Sequence, residues 1–176
     1  IKNNFVRINK TKKKKNLLFI SPFRPIMYKI LTNNISMSDY EERFGKKYTY
    51  YQRQGINFEL PKLLRKFCKE NKLKLDILGA SDNLQEKAFY DTVLEKNYRF
   101  IKKRNTFSNY KVLDEYELIV STYSTLGYEA LGRGKKICFF SPKILRFEKS
   151  DIFGWLYIKK KQGFFFSYKI DYSYIK

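Results

Sequence analysis

The sequence predicts an α/β protein: a Rossmann-like parallel sheet with helices on both faces. Two observations carry that expectation. Four short apolar runs, NLLFIS at 16–21, LKLDILGAS at 73–81, ELIVST at 117–122 and KICFFS at 136–141, each end in Ser, Thr or Gly, as buried strands do where they leave a parallel sheet. Between them the apolar residues recur at helical spacing, and the connections are long enough to cross over from one parallel strand to the next.

The elements follow in chain order. A basic stretch, NKTKKKKN at 9–16, leads into the first run, so residues 1–15 are expected to form a basic amino-terminal segment and 16–176 a single folded domain. The stretch 34–57 breaks the strand–helix rhythm and reads as an excursion with its own aromatic contacts. Over 58–71, Leu60, Leu63, Leu64, Phe67 and Cys68 form one apolar stripe, with Lys and Arg on the other face. Over 84–97 the stripe is Leu84, Ala88, Phe89, Val93 and Leu94. YRFIK at 98–102 reads as a further strand. After Ser141-Pro142 come Trp155, a Gly-Phe-Phe-Phe turn at 163–166 leading into an edge strand, and the start of a last helix.

Composition bounds the function. At 176 residues, 43% of them hydrophobic and 18% aromatic, the chain can bury a core as one domain. Lys plus Arg number 37 against 17 Asp plus Glu, a formal net charge of +20 that attracts phosphates, nucleic acid or an anionic membrane surface. Sign alone does not choose among these, and a solvated lysine surface needs no partner at all. The chain has no histidine, which removes the commonest general base and metal ligand. Cys68 and Cys138 sit in apolar contexts far apart in sequence, so buried reduced thiols are expected rather than a disulfide or a metal site, and with them a cytoplasmic location. No apolar run approaches the ~18 residues of a membrane-spanning helix, and no signal peptide is read. The first residue is Ile, and the chain is expected to be a fragment of a longer protein.

Residues 121–134, STYSTLGYEALGRG, carry the most chemistry. They follow a strand, where the N–H groups opening the next helix converge on ligands of open α/β sheets. Ser124 or Thr125 would cap that helix or meet a phosphate oxygen, and Gly127 would let a ligand approach the backbone. Glu129, one turn below Thr125, can accept two hydroxyls of a ribose or another sugar. An ordinary capped βα turn has the same features, with Gly132 and Gly134 ending a short helix. SPFR at 21–24 and GASD at 79–82 occupy equivalent strand ends, and Arg24 is a second candidate for a phosphate.

The longer segment NYKVLDEYELIVSTYSTLGYEALGRGKKICFFS, 109–141, resembles the donor-side signature of bacterial surface-carbohydrate and O-antigen biosynthesis proteins with GT-B-like folds. That signature has the pattern YxxLxxxDLVVSxxSTLGYEALARGKKVxFF. Tyr110, Leu113, Leu118, Ser121, Ser124, Thr125, Leu126, Gly127, Tyr128, Glu129, Gly134, Lys135 and Lys136 stand in the corresponding places, with Glu117 for Asp and Gly132 for Ala. Over about 17–108 the likeness is confined to the strand–helix rhythm and the NLLFIS opening, and DIFGW and GFFFS further on resemble the family's carboxyl-terminal region weakly.

The resemblance implies the nucleotide-sugar-binding half of a glycosyltransferase that builds lipopolysaccharide or capsule. Ser121, Ser124, Thr125, Gly127, Arg24 and Lys135 would then serve the donor phosphates, and Glu129 the donor sugar or ribose. No metal or other cofactor is expected, and the catalytic base would come from an acceptor half, with Asp39, Glu41 or Glu42 the substitutes within this chain. The partners implied are a nucleotide-sugar and a lipid-linked glycan acceptor at the inner face of the cytoplasmic membrane, to which residues 10–15 would add electrostatic attraction. The competing readings are a basic nucleic-acid-binding module, disfavoured because most aromatics fall at core spacing, a nucleotide-sugar epimerase, and a truncated inactive remnant.

Overall fold

The computed structural model describes residues 14–32, 50–103, 106–122, 124–140 and 166–167, with side chains undescribed at 14, 50–56, 106–107 and 166–167. The chain runs β1 (Lys14–Ile20), α1 (Pro25–Leu31), α2 (Tyr50–Glu70), β2 (Lys74–Leu78), α3 (Leu84–Leu94), β3 (Arg99–Ile101), α4 (Thr106–Asp114), β4 (Tyr116–Ser121), α5 (Thr125–Gly132), β5 (Lys136–Phe140) and β6 (Phe166–Ser167). All adjacent strands pair in parallel, in the order β3-β2-β1-β4-β5-β6. This is the doubly wound Rossmann order, in which the chain works outward from β1 in one direction and then, from β4, in the other.

The apolar runs lack strand-like alternation because both faces of the sheet are covered. Leu17, Phe19, Leu75, Ile77, Val120, Cys138 and Phe140 face α1, α2 and α3, meeting Met27, Leu60, Leu64, Phe67, Phe89, Tyr90 and Leu94. Leu18, Ile20, Leu78, Ile119, Ile137 and Phe139 face the other way, against Tyr110 and Leu113 of α4 and Ala130 of α5. Each strand therefore feeds two cores from consecutive residues.

The expected strands are present, with β1 beginning at Lys14, inside the basic stretch. Of the expected edge strand Phe166–Ser167 is described, and the rest of the Gly-Phe-Phe-Phe turn before it and the last helix lie outside the described residues. Three expectations change. Residues 50–57, assigned to the excursion, are the first two turns of α2. That helix continues through Pro61, although proline cannot supply the N–H that the Asn57 carbonyl would normally receive. No helix was expected over 106–114, where α4 now stands. Leu84, placed in the apolar stripe of α3, is 84% exposed, because it is the first helical residue and precedes the face that packs. The remaining part of the excursion, 33–49, lies outside the described residues and includes Asp39, Glu41 and Glu42. Both cysteines are free and buried, as expected.

Candidate functional site

Reversal of the winding direction between β1 and β4 leaves a crevice beyond their carboxyl ends, since the following helices go to opposite faces of the sheet. Two of the predicted segments leave the sheet there. From β1, Ser21 is buried: its hydroxyl accepts from Phe23 N–H at 3.1 Å and pairs with the Tyr90 hydroxyl at 2.9 Å. Arg24 follows, exposed and extended (φ −134°, ψ 144°), immediately before α1.

From β4, Ser121 and Thr122 are fully buried, and neither hydroxyl has a hydrogen-bond partner among the described residues. Buried hydroxyls are ordinarily paired, so two consecutive exceptions at a strand exit call for a reason. Ser124 is the N-cap of α5: its backbone is extended (φ −78°, ψ 133°) and its hydroxyl accepts from Leu126 N–H at 3.3 Å. Thr125 is exposed at the first position of the helix, where the dipole favours an anion.

Gly127 is buried, and a β-carbon on it would stand 2.8 Å from Phe139 Cε1 and 2.9 Å from Ser121 Oγ. The glycine thus lets α5 sit directly on β4 and β5, with the Ser121 hydroxyl beneath its first turn. On this side of the helix the glycine has a packing role.

Glu129, half-buried, is turned toward α4. Burial, and then the Glu129 carboxylate, push the Tyr110 phenol up to about 12. Lys135 lies at the opposite edge of the sheet from the crevice, just before β5. Its ammonium donates to the Asp114 carbonyl at 2.9 Å and stands 3.8 Å from the Asp114 carboxylate. Arg133 grips the same carboxylate with both arms of its guanidinium, Nε at 3.1 Å, while lying over the Tyr110 ring at 5.2 Å. The chain reaches this position through a left-handed Gly134 (φ 73°), with Gly134 N–H donating to Leu131 O and Lys135 N–H to Ala130 O. That double closure is the Schellman pattern that stops a helix. The segment GRGK is therefore a helix stop whose Arg133 and Lys135 join a buried ion cluster, so the structure does not bring Lys135 together with Ser124 and Thr125.

The sequence reading also missed polar groups that stand elsewhere. Glu86, fully buried, accepts from Ala80 N–H at 2.7 Å and Ser81 N–H at 2.9 Å, which closes the GASD turn from within. Asp76, buried in mid-strand, is bound by Arg99 at 2.6 Å, by Asn16 at 3.0 Å and by the Tyr116 hydroxyl. A charged residue inside the apolar run LKLDIL was the one available signal of the latter cluster; nothing in the sequence spacing ties Asp114 to Arg133.

Fold and crevice define a Rossmann-type α/β domain with an anion-favouring helix start at its switch point. A family model described as "putative O-antigen biosynthesis protein" matches residues 1–176, and the chain belongs to that family. No curated protein and no solved structure gives a match. Among the described residues no helix is long and apolar enough to cross a membrane.

Proposed function

We propose that this chain is the nucleotide-sugar-binding domain of a glycosyltransferase acting in O-antigen biosynthesis, with the donor in the crevice between β1 and β4. The observation that carries the reading is the buried Thr122 hydroxyl, without a partner among the described residues, directly before the capped start of α5. Donor phosphates at that helix start would gain the dipole and the Thr125 hydroxyl, and Arg24 at the neighbouring strand exit would add a full positive charge. Positioned donors and cations of this kind stabilise a departing nucleotide without a proton transfer. Glu129 has a packing neighbour in Tyr110, so in this reading it meets the sugar only along its half-exposed edge. Lys135 is withdrawn from the phosphate set.

The test is a thermal-shift screen of the purified chain against UDP-, GDP-, CDP- and CMP-sugars, with Arg24→Gln and Thr125→Val beside the wild type. The expected result is stabilisation by one nucleotide class, equivalent to about 2.7 kcal/mol at a hundredfold excess over Kd, and its loss in both variants. Equal stabilisation of wild type and variants would move the donor elsewhere, and no stabilisation by any nucleotide would remove the reading.

A further inference from the structure

We infer that the amino-terminal edge of the sheet is a docking face for an anionic lipid surface. Because every strand is parallel, all strand starts share one edge, and lysines collect there. Lys15 stands at the start of β1, Lys74 opens β2 beside Asn16, and Lys136 opens β5. Lys69 lies in the last turn of α2, before its final residue Glu70, and Lys72 turns the chain from that helix into β2 with a left-handed backbone (φ 55°). Lys15, Lys69, Lys72 and Lys74 are exposed and make no ion pair among the described residues.

A cleft of about 860 Å³ opens on this edge, lined by Arg65, Lys69, Lys74, Asp76, Glu95 and Arg99 among others. Its arginines are already engaged. Arg65 donates to the Leu94 carbonyl at 2.6 Å and pairs with Glu95 at 3.2 Å, while Arg99 holds Asp76. The carboxyl ends of α2 and α3 also point to this edge, and their partial negative charge opposes a small anion drawn deep into the cleft. The uncommitted cations are the lysines of the rim, whose flexible stems carry the charge outward. Several such point charges on one edge suit a plane of phosphate headgroups better than a pocketed phosphate.

Nucleic acid is the weaker partner for this edge. A single strand needs exposed rings on which bases stack, and the exposed large apolar residues among those described are Leu84 and Leu131. Strands of five to seven residues separate the two edges by about 20 Å, so docking would leave the β1–β4 crevice open to solvent. The inference does not depend on what the crevice binds.

Two variants of equal charge change separate the surface from net charge. One is Lys69→Gln/Lys72→Gln/Lys74→Gln on the amino edge; the other, Lys29→Gln/Lys102→Gln/Lys103→Gln, removes three exposed lysines elsewhere. Both and the wild type are sedimented with phosphatidylcholine vesicles, with and without about one-quarter phosphatidylglycerol, at low and high salt, after their melting curves are compared. Wild-type protein is expected to bind only the anionic vesicles and to be released by salt. The amino-edge variant is expected to lose on the order of tenfold or more in affinity, and the control variant less than about threefold. Equal losses in the two variants, undiminished binding by the amino-edge variant, or equal binding to neutral vesicles would overturn the inference. So would a protein that ignores vesicles but binds single-stranded RNA through the same three lysines.

Discussion

Asp114 is the residue on which the most charge depends. It is buried with Arg133 and Lys135, whose side chains are 7% and 6% exposed, so its removal leaves two cations without their carboxylate in a poorly hydrated place. Breaking a buried pair from one side costs about 3–5 kcal/mol, far more than the pair gains over an apolar replacement. Asp114→Ala is therefore expected to lower the urea midpoint by that equivalent, and Asp114→Ala/Arg133→Met to recover part of the loss. A single variant as stable as the wild type would show the cluster to be hydrated. Gly127 makes a separate demand. Gly127→Ala places a methyl group within 3 Å of Phe139 and Ser121, and overpacking of this kind costs about 1–3 kcal/mol. Since two of the three close atoms belong to Ser121 and the third to Phe139, Gly127→Ala/Ser121→Gly is expected to regain part of the lost stability, which equilibrium unfolding of the two variants would check.

At the scale of elements, the turn between β2 and α3 shows how a buried charge is made tolerable. The Glu86 carboxylate replaces water for two backbone N–H groups and the Ser81 hydroxyl. Glu86→Ala strands those donors, at about 1–3 kcal/mol, and hydrogen exchange at Ala80 and Ser81 is expected to speed up before the rest of the sheet responds. Unchanged exchange at both amides would mean that solvent already reaches them. The same comparison of elements explains what could be read from the sequence. The central strands were legible because a strand buried on both faces is a continuous apolar run with a polar exit. α4 was not, because TFSNYKVLD exposes its role only through Tyr110 and Leu113, two residues whose burial depends on β4 and α5. The early start of α2 was hidden by its polar first turns and by Pro61. At the crevice, the cap at Ser124 and the strand exits at Ser21 and Ser121 were legible as local signals. The partners of Glu129 and Lys135 were not, since Tyr110 and Asp114 lie 19 and 21 positions away in sequence and are brought near only by packing.

For the molecule as a whole, burial of neutral acids sets an alkaline limit. Burial raises the Cys138 thiol from its ordinary 9.0 to about 12, and burial followed by the Asp76 charge does the same for Cys68. Tyr110 rises from 10.0 to about 12, and burial also raises Tyr116 and Tyr128. Between pH 9 and 12 the unfolded chain has lost thiol protons that the folded chain still holds, so the folded state binds more protons and stability falls as pH rises. The contribution is whole below 9.0 and spent once the folded values near 12 are passed. Each buried thiol withdraws up to about 1.4 kcal/mol per pH unit inside that window. Urea unfolding of the wild type is expected to show a midpoint that holds steady to about pH 8.5 and then declines. Cys68→Ala/Cys138→Ala starts lower, because two core side chains are truncated, yet its decline should begin about one unit later, where the unfolded tyrosines titrate. A decline starting at the same pH in both proteins would show that the thiols are not held neutral by the fold.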